Sequence, residues 1–204
     1  MDEPALILEA KRGDLDAFNR LVLAYQTLVY NLAYRIIGET DAAADATQEA
    51  FIAAFRNIRG FRGGSFRGWL LRIVTNACYD ELRRRRRRPE TSLEALTEGE
   101  GWAEDDEASP LVSTLEKPEA ASERSELSQG IQDCLDHLPD EFRTVAVLAD
   151  VYQYDYREIA EVVGKPLGTV KSRLARARLR LRDCLQRYRE LLPAAYRLED
   201  EAPR

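Results

Sequence analysis

The chain has 204 residues but one histidine, His137, and three cysteines, Cys78, Cys134 and Cys184. The cysteines are far apart, odd in number and without CxxC spacing. With a single histidine they make no zinc site, so no metal is expected. They read as small buried residues in a reducing compartment. Catalysis needs convergent titratable groups, and the chain has neither a P-loop nor a GxSxG. No enzymatic activity and no cofactor are therefore expected. No run approaches the length of an apolar membrane span, which excludes direct membrane insertion. The N-terminal Met-Asp-Glu-Pro is acidic where a signal peptide is basic, so a cytoplasmic location is expected. Nor does any stretch alternate with period two, which leaves helices as the only regular element.

Hydrophobic residues make up 45% of the chain, enough for a packed core. The net charge of −6 argues at first against a nucleic-acid partner, but its distribution reverses that. Residues 1–88 hold 15 Lys/Arg against 11 Asp/Glu, a net of +4. Residues 89–136 hold 2 against 14, a net of −12. Residues 137–204 hold 13 against 11, a net of +2. Two slightly basic lobes flank a strongly acidic middle.

Apolar residues recur at helical spacing over 5–37: Leu6, Ala10, Leu15, Phe18, Leu21, Val22, Tyr25, Val29, Leu32, Ala33 and Ile36. Gly13-Asp14 breaks the run, Asp14 caps the next helix and Gly38 ends it. Thr40 or Asp41 is expected to cap a helix from about 42 to 58. Ser65, after the Gly63-Gly64 loop, caps a helix from Phe66 to about Arg88, stopped by Pro89. Residues 89–121 are rich in Gly, Pro, Ser and Glu, a composition that cannot offset ordering entropy, and read as a flexible acidic linker. Helical periodicity returns at Ser122. Pro139-Asp140 starts another helix, Asp155 the next, and a long helix covers about 167–191. The expected architecture is all-α: a first helical domain over 1–88, the linker over 89–121, a second helical domain over 122–191 and a tail over 192–204. That tail is too short to be an added regulatory domain.

The most informative stretch runs from Tyr156 to Arg180. A short apolar-periodic helix ends at Gly164, a tight turn follows, and a helix crowded with arginine comes next. This is the pattern of a helix-turn-helix, whose second helix lies in the DNA major groove. Lys171, Arg173, Arg176, Arg178 and Arg180 project from it, with Arg173, Arg176 and Arg180 on roughly one face. Arginine reads guanine edges with two hydrogen bonds or clamps phosphate. Thr169 and the amides at the start of this helix sit where phosphate is favoured. A solvated basic face is the bland alternative, and the preceding turn argues against it.

Three further groups stand out. Arg83 to Arg88 are six consecutive arginines, a run too dense for helix-dipole compensation and suited to tracking a nucleic-acid backbone. Phe61, Phe66, Trp69 and Asn76 lie beside Arg62 and Arg72, where aromatics stack on unpaired bases. Periodicity alone favours ordinary core for Trp69. Asp45, Gln48, Glu49 and Ile52 share one helix face, either simply solvated or a docking face for a protein.

These motifs together resemble the extracytoplasmic-function group of the bacterial sigma-70 family. Asp45-Ala-Thr-Gln-Glu-Ala-Phe is similar to its region 2.2, and the segment from Phe66 to Ala77 with the arginine run to regions 2.3 and 2.4. Leu138-Pro-Asp-Glu-Phe-Arg and the helix-turn-helix resemble regions 4.1 and 4.2. The resemblance covers about residues 5–88 and 122–190, in order.

The resemblance implies a factor that binds core RNA polymerase, directs it to −35 and −10 promoter elements and helps melt the −10 DNA. Asp45, Gln48, Glu49 and Ile52 would dock on the β′ clamp, with the β flap as a further contact. Arg62, Ser65, Phe66, Arg72, Asn76, Arg83 and Arg84 would serve the −10 element, with Asn76 and the 62–66 loop capturing a flipped base. Thr169, Lys171, Ser172, Arg173 and Arg176 would serve the −35 element. The family also implies an anti-sigma factor as partner. The two elements lie roughly 25 base pairs, or about 85 Å, apart. A linker of this length reaches about 110 Å when extended. Acidic charge would keep it off DNA, or thread it toward the RNA channel. The alternative is a stand-alone helix-turn-helix regulator, which leaves residues 45–88 idle and predicts a dimer seam that no sustained heptad provides.

Overall fold

Short polar side chains cap four of the helix starts, and left-handed glycines end three helices. The computed structural model describes residues 2–87 and 118–191. Helix α1 (Glu3–Arg12) starts under the Asp2 carboxylate and stops at Gly13, whose φ of 100° is left-handed. The Asp14 side chain then accepts from Asp16 and Ala17 and opens α2 (Leu15–Ile37), which Gly38 ends with φ 85°. α3 (Thr40–Asn57) begins without a side-chain cap bond at Glu39, so neither Thr40 nor Asp41 plays the expected capping role. A 3₁₀ turn, Ile58–Gly60, leads to the glycine loop. The Ser65 hydroxyl accepts from the Gly68 amide at 3.0 Å and opens α4 (Phe66–Arg87).

In the second lobe, α5 (Pro118–Asp136) starts four residues before the periodic signal at Ser122. α6 (Asp140–Ala146) runs into a π-helical turn, Val147–Val151, that periodicity does not announce. α7 (Tyr156–Val163) carries a full capping box: Asp155 accepts from its first turn while Glu158 reaches back to the Asp155 amide. Gly164, with φ 62°, makes the turn to α8 (Leu167–Leu185). The expected single helix to 191 divides there, and a 3₁₀ segment, Gln186–Leu191, kinks at Tyr188. Among the described residues every regular element is helical. The acidic stretch expected to be the linker lies outside the described residues up to Pro118.

α2, α3 and α4 pack around Leu21, Val29, Leu32, Ile36, Ile58, Phe66, Leu70 and Leu71, all buried. The face of α3 against this core is alanine (Ala42, Ala43, Ala46, Ala50, Ala54), which lets the helices approach closely. α6, α7 and α8 bury Leu148, Ile159, Val170 and Leu174. The lobes also pack on each other, chiefly through α4 with α7 and α2 with α5. The Tyr152 hydroxyl donates to the Leu28 carbonyl at 3.2 Å, and the Arg67 guanidinium lies 5.2 Å from the centre of the Tyr154 ring. Arg35 donates to Gln132 at 3.1 Å, and Arg86 pairs with Asp140 at 2.6 Å.

All three cysteines are buried as expected, but not all are free thiols. Cys134 of α5 and Cys184 of α8 form a disulfide across 50 residues. Only Cys78 keeps a free, buried thiol. Nothing local announces the bond, because the fold alone brings α5 beside the end of α8.

Candidate nucleic-acid and polymerase interfaces

The helix-turn-helix is built as expected, and α8 presents it. Lys171, Ser172 and Arg176 are exposed, Thr169 is half-buried in the first turn, and Val170, Leu174 and Ala177 anchor the opposite face. Lys171 lies 5.9 Å from the centre of the Tyr156 ring, a contact that steadies its long stem. Arg176 has no partner among the described residues, so its guanidinium is free for an anion. Arg173 is engaged: it is half-buried and pairs with Glu141 of α6. Arg180 lies over the Phe142 ring, and Arg178 pairs with Asp150. The expected arginine face thus divides into a free residue and two that lean on α6.

The arginine run on α4 is largely neutralised within the fold. Arg83 pairs with Asp80, and Arg84 with Glu81 and, at 3.9 Å, with Glu49. Arg85 pairs with Glu81 and Glu39, and Arg86 with Asp140. Charge density in sequence is therefore not free charge at the surface; Arg87 is the member of the run without an ion pair among the described residues. Arg88 lies outside them.

The −10 candidates separate by exposure. Arg62 and Ser65 are exposed just before α4, and Arg72 and Asn76 along its first half. Phe66 is 2% exposed and packs edge-on to Phe61 and Tyr25 at 5.6 and 5.5 Å. Its ring supports the loop from below and is not presented to a base. Trp69 is half-buried against both Phe61 and Phe66, at 5.4 Å from each. Gly63 and Gly64 take φ of 98° and 87°, which only glycine adopts freely. The Lys11 ammonium holds the start of this loop through the Phe61 carbonyl at 2.8 Å.

On α3, Asp45, Gln48, Glu49 and Ile52 lie together on the solvent face, opposite the alanine stripe. Ile52 is 43% exposed beside them. A cleft of about 530 Å³ separates α4 from the second lobe, lined by Tyr79, Arg83, Arg86, Asp140, Lys165 and Arg173 among others. Sequence reasoning missed the pairing of Arg86 and Arg173 with acids of α6 across and beside this cleft. The acids Asp140 and Glu141 were legible as a helix start, not as partners.

Comparison with known proteins agrees with this layout. Residues 21–88 match the model of Sigma-70 region 2, and residues 128–181 that of Sigma-70, region 4. The chain is 40% identical over 174 residues to the ECF RNA polymerase sigma factor SigE of Mycolicibacterium smegmatis, covering 85% of this chain and 63% of that protein. It therefore spans under two thirds of that relative. It is 40% identical over 182 residues to SigW of Bacillus subtilis, covering 88% of this chain and 95% of SigW. Among solved structures, CnrH in complex with the cytosolic domain of CnrY aligns with a TM-score of 0.61 at 25% identity, covering 89% of this chain and 95% of that one. The chain belongs to the extracytoplasmic-function group of the sigma-70 family of RNA polymerase sigma factors.

Proposed function

We propose that the chain binds core RNA polymerase through α3, with Asp45, Gln48, Glu49 and Ile52 on the β′ clamp, and that the β flap engages its second lobe. Arg62, Ser65, Arg72 and Asn76, with Phe66 beneath them, serve the −10 element. Thr169, Lys171, Ser172, Arg173 and Arg176 serve the −35 element. Residues 1–88 and 122–191 act as the two functional domains, joined by 89–121. The protein works in the cytoplasm with polymerase, performs no catalysis of its own, and is held in reserve by an anti-sigma factor.

The observation that carries this reading is the solvent face of α3. Its Asp45 and Gln48 make no hydrogen bond or ion pair among the described residues, and Ile52 is 43% exposed. A stand-alone regulator has no use for them. The packed lobes also have to part. α2, the longest helix among the described residues at 23 residues, is about 35 Å long. Lobes in contact cannot reach elements about 85 Å apart. Opening exchanges contacts such as Tyr152 to Leu28 for contacts with polymerase.

Pull-down and run-off transcription with bacterial core polymerase test the reading. Wild type is expected to bind core and give promoter-dependent transcripts. Gln48→Ala with Glu49→Ala is expected to lose both while keeping its helix content, since both residues are exposed. Failure of the wild type to bind core, with intact sequence-specific binding to duplex DNA, would sink it in favour of the stand-alone regulator.

A further inference from the structure

Helix α5 has two working faces. One meets α2 of the other lobe. Arg35 donates to Gln132 at 3.1 Å and to Ser128 at 3.3 Å, and Gln132 also bonds Asp136 at 3.1 Å. The other meets the end of α8 and the 3₁₀ segment after it. The Tyr188 hydroxyl donates to Asp133 at 3.1 Å, and the Tyr188 ring fills the space that a side chain at Gly130 would need. The Cys134–Cys184 disulfide sits on this second face, between Gln132 and Asp136 in sequence. It thus fastens α5, which makes one of the two main contacts between the lobes, to the helix that carries the −35 candidates.

The two sulfurs differ in their surroundings. Cys184 is 8% exposed and Cys134 1%. The Arg187 guanidinium donates to the Cys184 sulfur at 3.3 Å. A cation beside a sulfur favours its thiolate, both as leaving group and as nucleophile.

We infer that Cys134–Cys184 is a reversible redox site, and that its reduction by a cellular dithiol loosens α5 and with it the contact that α5 makes with α2 of the other lobe. A thiolate of the dithiol attacks the Cys184 sulfur and expels the Cys134 thiolate, which takes up a proton. The second thiol of the dithiol attacks its own sulfur in the mixed disulfide and expels the Cys184 thiolate beside Arg187. Two electrons and two protons pass to the chain, and the dithiol ends as a disulfide. Reoxidation runs the same steps backward. With the bond gone, α5 keeps the contacts of Gly130 and Asp133 with Tyr188 of the 3₁₀ segment and its packing against α8. Ser128, Gln132 and Asp136 then lose the rigid mount that aligns them with Arg35 and the end of α2. The site acts on the chain itself, so the inference does not depend on which partner the chain binds.

Hydrogen exchange with peptide-level mass analysis tests this on the full chain, oxidised and then equilibrated with a thioredoxin-type dithiol protein at neutral pH. Alkylation after acid quench counts the thiols. The expected result is one thiol before and three after. Amides of 128–136 and of 34–38, across the lobe contact, should then exchange at least tenfold faster, with α3 unchanged. Cys134→Ser with Cys184→Ser should exchange like the reduced chain. Three thiols before reduction, a bond that yields only after denaturation, or unchanged exchange at 34–38 would each overturn the inference. Because the wild type is compared with itself, a double variant that misfolds does not spoil the test.

Discussion

The Arg143 guanidinium of α6 donates to the Ile36 carbonyl of α2 at 2.6 Å, so a charge from one lobe satisfies the end of a helix in the other. The last carbonyls of a helix have no partner inside it, which makes this a natural place for a cation. The same side chain donates to the Asp136 and Leu138 carbonyls and lies 3.1 Å from the Asp136 carboxylate. Burial pushes its pKa down, and Asp136 and Asp140 pull it back.

Arg143→Ala is therefore expected to cost more than a surface arginine does. It strips three carbonyls of a donor and leaves the Asp136 carboxylate only its bond from Gln132. Asp136 is exposed, so the pair itself adds little, and the carbonyls left without a donor set the cost, on the order of 2 kcal/mol. Arg143→Lys should recover under half of that, because an ammonium cannot reproduce the guanidinium fork. Urea midpoints of the three proteins decide it. An Ala variant within about 0.5 kcal/mol of wild type would show that the contact carries little.

This contact also marks what was legible in the sequence. Asp14, Ser65, Asp155, Gly38 and Gly164 announce their helix ends because capping is local chemistry. Arg173, Arg176 and Arg180, on one face after the turn at Gly164, announce the reading helix for the same reason. Arg143 reads only as part of a helix, since its main partner is 107 residues away. The Cys134–Cys184 bond and the pairing of Arg85 with Glu39 are hidden likewise: they depend on which helices become neighbours. The pattern at 45–52 revealed a shared face, and exposure of that face needed the alanine stripe to be seen buried.

The Asp155 carboxylate accepts from the Arg157 and Glu158 amides at 2.7 and 2.9 Å, and these bonds hold its pKa below the usual carboxylate value. A depressed folded pKa stabilises the fold above the unfolded value, near 3.9, and the benefit fades as pH falls through the folded one. Asp155→Ala should therefore lower the melting temperature at pH 7, and the gap to wild type should narrow below about pH 4. A gap that stays constant down to pH 3 would assign the effect to something other than this cap.

Gly130→Ala sets two effects against each other. Alanine in place of a helical glycine gains about 1 kcal/mol of helix propensity. At Gly130, however, the new methyl group would stand 2.7 Å from the Tyr188 ring. Overpacking of that kind costs about 1–3 kcal/mol, so the net sign should be destabilising. Adding Tyr188→Ala should turn it around, making Gly130→Ala stabilising in that background. A single variant more stable than wild type would mean that the ring moves aside freely.

Cys78 is buried, and burial pushes its thiol up to about 12. At pH 8 only about one molecule in ten thousand then carries the thiolate. Iodoacetamide should leave Cys78 unlabelled in the native oxidised chain and label it readily in urea. Labelling at the rate of a free thiol would show that the first lobe opens easily.

The last expectation concerns the division of α8 between free and engaged arginines. Arg173 pairs with Glu141, whereas Arg176 has no partner among the described residues. DNA approaching α8 must take Arg173 from a carboxylate, but finds Arg176 waiting. A partly exposed ion pair is worth roughly 0.2–1 kcal/mol. Glu141→Gln should therefore raise affinity for duplex DNA by at most about fivefold. Most of that gain should vanish when Arg173→Ala is added. Arg176→Ala, by contrast, should weaken binding in the wild type and lower the salt slope by about one if it meets phosphate. Titrations at several salt concentrations separate the two arginines. If Glu141→Gln changes nothing while Arg173→Ala weakens binding, Glu141 does not compete with DNA, and Arg173 releases it at no measurable cost.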